Sequence, residues 1–380
     1  MLFSCGNEKR NEENNLSSEN SGNFKENEDS DSIISFTSEE SFCISEESVE
    51  NSDSCSSKTD DSDNSKPETE NLMKVHFIDV GQGDSAFIEF PDKTYMLIDS
   101  GLPKYSHDVI RFIQSRGCKK IDYLVMTHPH ADHIGGMKDI IDFIDIGCIY
   151  MPNASSNSEL FLNILKSINE HEIPVIEAKA GTVIKNSNNL CVSVIAPVVP
   201  DTENLNNCSA VIRAEYGKRS FLFMGDAEKE EEMSIKNLKE CDVLKVGHHG
   251  SNSSSSYTFL SKVRPHISVI SCGKNNEYGH PHKETLERLL KFGTSVFYRT
   301  DLNGTISLFC DGEDIYREKN LKQEDVSFKF TLNTKSKKIH TFGSSDTQTI
   351  KEENRIYSDK TLAELKKLGY SCCQGCDPKD

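Results

Sequence analysis

The chain has 380 residues and a formal net charge of −18. Residues 1–70 hold 19 Asp or Glu against 5 Lys or Arg, and the remainder holds 42 against 38, so most of the acidity is N-terminal. These totals exclude a surface basic enough for net charge alone to indicate nucleic-acid binding. No apolar run approaches the ~20 residues needed to cross a bilayer, so the sequence predicts no transmembrane segment.

The 13 cysteines are scattered along the chain, and their number is odd. Cys118, Cys148, Cys191 and Cys241 lie in or beside apolar runs. This pattern is typical of buried free thiols rather than of a disulfide framework.

Residues 1–72 are rich in Ser, Asn, Glu and Asp, and we predict that they form a disordered acidic tail. Near the start, Leu2-Phe3-Ser4-Cys5-Gly6 is similar to the lipobox at which bacterial lipoproteins are acylated on cysteine. The basic and apolar regions of a signal peptide are absent upstream, so a lipid anchor at Cys5 requires that such a signal was lost. We favour an extracytoplasmic protein, secreted or lipid-anchored, over the cytoplasmic protein that the free thiols indicate.

From Met73 the chain alternates short β-rich apolar runs with helix-like stretches such as 105–117 and 158–170. The runs include KVHFIDV, SAFIEF and DYLVMT in the first half, and SFLFMGD, DVLKVG and GTISLFC in the second. This alternation predicts an α/β domain over residues 73–312, with two mixed sheets flanked by helices on their outer faces.

The segment THPHADHIGG follows one of these strands and places His128, His130, Asp132 and His133 within six positions. Imidazole nitrogens and a carboxylate suit Zn, Mn or Fe better than Ca or Mg. Four such ligands are too crowded for a single ion with an open position. We therefore predict two neighbouring ions, most plausibly Zn or Mn, which together activate water and stabilise the attacking and leaving oxygens.

The ordered motifs FIDVGQGDSAFIEF, MLIDSG, MTHPHADHIGG, FLFMGDAE, VLKVGHHGS, YGHPH and YRTDLNGTI resemble the metallo-β-lactamase fold superfamily. More narrowly, they are similar to the hydrolase domain of ComEC-type competence proteins, over about residues 74–309. The resemblance implies an αββα sandwich. It also implies His128 and His130 on the first metal, Asp132 and His133 on the second, and Asp226 as a bridge between them.

The resemblance leaves the last metal-site histidine open between His248 and His280. By analogy with nucleases of this fold, we expect His280 to be the ligand. His248 or His249 would then be a proton donor or phosphate contact, with Asp132 at the catalytic centre and Ser251 nearby.

Other residues are expected to support the site. Asp99 would orient a ligand histidine, and Asp79 and Asp84 are either turn residues or site residues. Many superfamily members have a third histidine on the first metal, but the corresponding segment here reads NLNNCSAVI. Asn206, Asn207 or Ser209 would line the site instead, and the first metal would bind more weakly.

The resemblance suggests phosphodiesters as substrates, so nucleic acid, DNA or RNA, is the expected partner. Candidate positive charges near the site are Lys245, Lys274, His282, Lys283, Arg288 and Lys291. Two alternatives remain open at this stage. One is a hydrolase of a carbonyl substrate such as a lactone, thioester or β-lactam, and the other is an inactive nucleic-acid-binding module.

Residues 324–380 resemble the small zinc-binding module of Ada-type DNA-repair proteins. Cys373 and Cys376 match its C-x-x-C pair and His340 its histidine, whereas Ser344 stands near the place of the missing first cysteine. The segment is too short for a strong core of its own, so we expect a stabilising link. This link is either a structural zinc ion on His340, Cys373 and Cys376 or a Cys373–Cys376 disulfide, unless the site has decayed. Cys372 is a further candidate ligand, although adjacent cysteines seldom chelate one ion.

Overall fold

We describe a computed structural model of the chain, in which residues 71–154, 156–201, 203–317, 328–376 and 378–379 are described. The predicted acidic tail, except for its last two residues, lies outside the described residues, as does Cys5. No helix in the described part of the chain is long and apolar enough to cross a membrane.

Two facing β-sheets form the centre of the described chain. The strands of the first sheet are β1 (Met73–Phe77), β2 (Ala86–Glu89), β3 (Tyr95–Ile98), β4 (Lys120–Val125), β5 (Asp145–Met151), β6 (Val175–Glu177), β14 (Ile306–Cys310) and β15 (Ile315–Arg317). The strands of the second are β7 (Val183–Ser187), β8 (Leu190–Ala196), β9 (Val211–Tyr216), β10 (Arg219–Phe223), β11 (Val243–Lys245), β12 (Ile267–Ile270) and β13 (Val296–Arg299). Within the described residues, the orders are β15-β14-β1-β2-β3-β4-β5-β6 and β13-β12-β11-β10-β9-β8-β7. Both sheets mix parallel and antiparallel pairs, as predicted.

Helices cover the outer faces of the two sheets. Their bounds are α1 (Ser106–Ser115), α2 (Ala131–Ile134), α3 (Met137–Phe143), α4 (Glu159–Glu170), α5 (Lys229–Ser234), α6 (Tyr257–Val263), α7 (Lys283–Lys291), α8 (Thr300–Asn303) and α9 (Leu362–Lys367). The predicted helices at 105–117 and 158–170 correspond to α1 and α4. Ser158 caps α4 by accepting a hydrogen bond from the amide of Phe161, which explains why that helix begins where it does.

Three clusters of buried apolar side chains hold the sheets and helices together as layers. The central one lies between the sheets and includes Phe77 of β1 stacked on Phe223 of β10, with ring centroids 5.8 Å apart. A second packs Val109 and Ile113 of α1 against the first sheet, and a third packs Leu260 of α6 against the second. The predicted αββα class is therefore confirmed.

The C-terminal segment forms a further sheet of β16 (Phe330–Asn333), β17 (Lys338–Thr341), β18 (Arg355–Ser358) and β19 (Ser371–Cys372), in the order β18-β16-β17-β19. Its apolar side chains, including Leu332, Ile339 and Leu365, belong to the same buried cluster as α1 and α3. The amide of Tyr357 donates to the side chain of Gln114 in α1 at 2.7 Å. This module therefore shares its core with the larger domain.

Candidate metal centre

Side chains from several strand ends meet at one edge of the sandwich. Asp84 lies in the turn after β1, and His128 and His133 follow β4. Asp226 comes three residues after the end of β10, and His249 lies in the turn after β11. Strands β10 and β11 are parallel, as are β3 and β4, so the loops at their carboxyl ends open on the same side.

Four buried residues form the centre of this cluster. Asp84, His133, Asp226 and His249 each offer one ligand atom, and these atoms lie within 4.8 Å of one another. Within the described residues, Asp84 Oδ1, His133 Nε2, Asp226 Oδ1 and His249 Nε2 are buried without a well-aligned hydrogen bond, although each lies 3.1–3.2 Å from an ion-pair partner inside the cluster. Buried polar atoms are nearly always hydrogen-bonded, so several ligand atoms in one place that lack an aligned hydrogen bond fit a bound metal ion.

His133 is held in place by Asp99. Its Nδ1 lies 2.7 Å from Asp99 Oδ2, and the amide and hydroxyl of Thr127 donate to the two oxygens of the same carboxylate at 2.9 and 2.6 Å. The opposite ring nitrogen, Nε2, lies 3.1 Å from Asp226 Oδ1. Asp99 thus has the geometry expected of a carboxylate that orients a ligand histidine.

His249 reaches the centre from a backbone conformation that is uncommon for histidine, with φ of 54°. Its Nδ1 donates to the carbonyl of Ser271 at 3.0 Å and also lies 3.2 Å from Asp84 Oδ1. Its Nε2 lies 3.2 Å from Asp132 Oδ2 and 3.5 Å from Asp226 Oδ2. Nε2 of His249 therefore points at both carboxylates.

The electrostatics of the cluster favour a cation. Burial opposes ionisation of Asp226, but the charges of His133 and His249 lower its pKa well below its usual range. Burial alone would lower the pKa of His249, but Asp226 and Asp84 outweigh it and raise that pKa to about 10. The carboxylates thus create a strongly negative pocket that holds positive charge, either as protons or as divalent metal.

His128 and His130 lie beside His133, and the ring centroids of His128 and His133 are 4.2 Å apart. His128 Nε2 lies 2.9 Å from His130 Nδ1 and 3.9 Å from Asp226 Oδ2. Burial, together with the charge of His133, lowers the pKa of His128 well below its ordinary value. A neutral imidazole is the form that binds metal.

His248 and His280 lie at the edge of the cluster. Nδ1 of His248 is 3.1 Å from Glu228 Oε1, and its Nε2 is 3.8 Å from Asp226 Oδ2. His280 is half-buried, and its Nδ1 is 3.4 Å from the side-chain amide of Gln82. The ring centroid of His280 lies 5.7 Å from that of His248, so these two histidines form the rim of the centre.

The segment NLNNCSAVI, which stands where many superfamily members have a third histidine, contacts residues next to the candidate metal centre. The hydroxyl of Ser209 accepts from the amide of Asp226 at 3.0 Å and lies 3.4 Å from His128 Nδ1. Asn207 accepts from the amide of Glu228 at 3.1 Å, and Asn206 lies 3.5 Å from its carboxylate. Ser209 therefore lies beside the proposed ligands, whereas the asparagines hold Glu228.

Two other predicted site residues have local roles in the structure. Asp79 is exposed and accepts a hydrogen bond from the amide of Gly81 at 3.0 Å, as a turn residue does. The hydroxyl of Ser251 lies 3.0 Å from that of Ser253, and its carbonyl accepts from Thr285. Gly83 lets the turn approach the candidate metal centre, because a Cβ there would lie 2.3 Å from the carbonyl oxygen of Asp132.

Lys245 is not available to a phosphate, contrary to our expectation from the sequence. Its ammonium lies 2.6 Å from Asp84 Oδ2, and both side chains are buried, with 4% and 8% exposed. Arg288 is also committed, since it donates to the carbonyls of Ser254 and Ser255. A lysine at the end of an otherwise buried strand, as in DVLKVG, is the signal that could have indicated an internal partner.

Removing Lys245 is expected to destabilise the fold strongly. The Lys245→Met variant removes the ammonium from buried Asp84 and leaves it only the imidazole of His249, 3.2 Å away, so we expect a cost of about 3–5 kcal/mol of unfolding free energy. A matched control is Lys218→Met, because Lys218 also lies 2.6 Å from a carboxylate, that of Glu313, but both side chains are mostly exposed. The control should cost under about 1 kcal/mol. Urea denaturation of both variants measures the difference, and equal losses would contradict the prediction.

The C-terminal candidates also come together. His340 on β17 lies near Cys373 and Cys376, which are free thiols, and Asp346 joins them in a second group of ligand atoms within 4.8 Å of one another. Asp346 was missed in the sequence because it does not occupy the place of the absent cysteine. Ser344, which does, is not part of this group.

The αββα sandwich and its buried histidine–aspartate cluster are the fold and candidate metal centre of a metallo-β-lactamase-type protein. The chain belongs to the metallo-beta-lactamase superfamily, whose family model matches residues 78–274. It is 34% identical over 267 residues to ComE operon protein 3 of Bacillus subtilis, covering 65% of this chain and 33% of that protein. It is 31% identical over 231 residues to Recombination protein 2 of Haemophilus influenzae, covering 59% and 27%. Competence protein ComA of Neisseria gonorrhoeae is 28% identical over 243 residues, covering 62% and 32%. The chain thus spans about a third or less of these relatives' lengths.

Proposed function

We propose that this domain hydrolyses phosphodiester bonds in nucleic acid, using two divalent ions, Zn²⁺ or Mn²⁺, held at the candidate metal centre. The observation that carries the proposal is that both carboxylate oxygens of buried Asp226 face imidazoles, which come from two separate loops. One oxygen faces His133 at 3.1 Å, and the other lies 3.5 Å from His249 and 3.9 Å from His128. A carboxylate so placed can bridge two ions.

We assign the ligands from this geometry. His128, His130 and Asp226 would hold the first ion, and Asp132, His133, Asp226 and His249 the second. This assignment replaces His280 with His249, because Nε2 of His249 faces Asp132 and Asp226, whereas Nδ1 of His280 contacts Gln82. Asp84 would complete the negative pocket beside His249.

The roles of the protein groups follow from their positions. Ions bound here would lower the pKa of water and stabilise negative charge on the phosphoryl oxygens. Asp99 and the carbonyl of Ser271 fix the rings of His133 and His249 through their Nδ1 atoms. His248, held by Glu228 at Nδ1, presents Nε2 on the open side of Asp226, where it could deliver a proton to a leaving oxygen.

Two features support nucleic acid over a carbonyl substrate. The relatives include proteins named for recombination and competence. Tyr278 stacks on His280 at the rim, with centroids 5.6 Å apart and an angle of 22° between the rings. Lys274 and Lys283, close to these residues in the sequence, are exposed, and Lys283 lies 3.8 Å from Glu287. Exposed aromatic rings beside positive charges are what unpaired bases and their phosphates require.

The direct test measures products from single- and double-stranded DNA and RNA in the presence of Mn²⁺ or Zn²⁺. We expect metal-dependent release of nucleotides by the native chain and none by His130→Ala. A lactone, a thioester and a chromogenic β-lactam serve as competing substrates. Hydrolysis of one of these without nucleic-acid cleavage would overturn the proposal, as would metal-independent nucleic-acid binding without any turnover.

Tyr278→Ala is expected to weaken polynucleotide cleavage selectively. The tyrosine ring is 60% exposed, and loss of one stacked base costs about 1–3 kcal/mol, so KM for single-stranded substrate should rise by about 5- to 150-fold. Hydrolysis of bis(p-nitrophenyl) phosphate, which has no base to stack on this rim, should be unchanged. The control is Tyr257→Ala, at a 56% exposed tyrosine that packs on Phe292. Equal effects of Tyr278→Ala on both substrates would contradict a stacking role.

A further inference from the structure

The C-terminal module brings four different ligand side chains to one point from separate elements. His340 lies on β17, and Asp346 lies in the 3₁₀ helix Ser345–Thr349. Cys373 and Cys376 belong to the turn that follows β19. Strand β19 pairs in parallel with β17 through Ile339 and Cys372, which carries this turn to the histidine.

Within this group of four residues, each cysteine sulfur lies beside a ligand atom of a different kind. Cys376 Sγ lies 3.5 Å from His340 Nδ1, and Cys373 Sγ lies 3.7 Å from Asp346 Oδ2. All four ligand atoms lie within 4.8 Å of one another. Two sulfurs, an imidazole nitrogen and a carboxylate oxygen, four in number and compactly arranged, are the donor types of a closed tetrahedral zinc site.

The turn itself is adapted to this arrangement. The amide of Gly375 donates to Cys373 Sγ at 3.4 Å, which stabilises negative charge on that sulfur. A Cβ at Gly375 would lie 2.6 Å from Asp346 Oδ2, so only glycine lets the carboxylate approach the two cysteines. The amide of Cys373 donates to the carbonyl of Ile339 at 2.8 Å, which fixes the start of the turn.

We infer that the C-terminal module binds one zinc ion through His340, Asp346, Cys373 and Cys376, separately from the hydrolytic centre. Asp346 supplies the fourth ligand that the sequence pattern lacks. A disulfide would leave Asp346 and His340 without a reason to converge on the cysteines. The ion links β17, β19 and the 3₁₀ helix, whose apolar neighbours Ile339 and Tyr370 pack with α1 and α3 in one core. It therefore stabilises the attachment of the module to the catalytic domain.

The test uses the full chain, purified under reducing conditions, with its hydrolytic centre disabled by His130→Ala and Asp226→Asn. Elemental analysis and cobalt substitution are the readouts. We expect a tetrahedral cobalt spectrum with thiolate-to-cobalt charge transfer, lost in Cys376→Ser and lost or strongly weakened in Asp346→Ala. Asp346→Cys should restore binding by supplying a third sulfur. Cys372→Ser is the matched control, because the adjacent Cys372 is outside the group and its loss should leave the ion in place.

Several outcomes would overturn the inference. A Cys373–Cys376 disulfide in protein purified without reductant, together with no cobalt or zinc uptake after reduction, would show that the link is covalent. An Asp346→Ala variant with unaltered zinc affinity would remove Asp346 from the site. Loss of the ion in Cys372→Ser to the same extent as in Cys376→Ser would show that disruption of the turn, and not loss of a ligand, explains the effect. Because nucleic-acid cleavage is not measured, these results are independent of the proposed function.

Discussion

Replacing Asp226 with asparagine is expected to reduce phosphodiester hydrolysis by about 10³-fold. In our proposal this one side chain binds both ions, and the ions stabilise the negative charge that develops in the transition state. Asparagine keeps the shape of aspartate but removes the negative charge that faces His133 and His249. Metal bound at the hydrolytic centre should fall below the native content in elemental analysis. The control is Asp79→Asn, the same chemical change at an exposed turn residue.

The comparison is informative because the two aspartates differ in surroundings and not in chemistry. Asp79→Asn should keep native activity to within about twofold, since a surface turn residue contributes little. Near-native activity and metal content in Asp226→Asn, with Asp79→Asn unchanged, would mean that Asp226 does not bridge two ions. Far-ultraviolet circular dichroism of both variants separates loss of the site from loss of the fold.

The second large effect is expected for His249→Ala compared with His280→Ala. We expect His249→Ala to lose the second ion, and its kcat to fall by about 10²- to 10³-fold, because that ion would stabilise the transition-state charge. His280→Ala should retain the native metal content, and its kcat should fall by only about tenfold. This is the lower end of the range for residues that act through a metal ligand. Both changes remove one imidazole, so each variant is the control for the other.

A larger loss of metal and kcat in His280→Ala than in His249→Ala would support the expectation from the sequence that His280 is the ligand. If His280→Ala lost the ion and His249→Ala kept it, the rim histidine would have to move inward when metal binds. Metal content measured on the same samples as kcat distinguishes this from a change in substrate contact. A larger rise in KM than fall in kcat for His280→Ala would indicate that His280 mainly supports Tyr278, on which it stacks.

Much of the architecture was predictable because it depends on short-range pattern. Helices α1 and α4 begin and end within two residues of their predicted bounds, since apolar spacing and, in α4, the Ser158 cap are local signals. The cluster at His128–His133 was equally visible, because its ligands follow one strand within six positions.

Choices between residues distant in sequence were harder. The sequence left the last metal-site histidine open between His248 and His280 and gave His249 another role, whereas in the structure Nε2 of His249 faces Asp132 and Asp226. The sequence did not indicate Asp346 as a candidate ligand, because its approach to Cys373 depends on the strand pairing of β17 and β19. Lys245 was misjudged as a surface charge because its partner, Asp84, lies 161 positions away.

The amino-acid sequence by itself determined the layered α/β class and showed a cluster of metal-binding residue types directly after one strand. These follow from periodicity and donor chemistry, which act over a few residues. The tertiary structure alone decided that His249 faces Asp132 and Asp226, that Lys245 is buried against Asp84 and that Asp346 lies beside the C-terminal cysteines. Those outcomes depend on loops from different strands meeting within a few ångströms, and no local pattern records that distance.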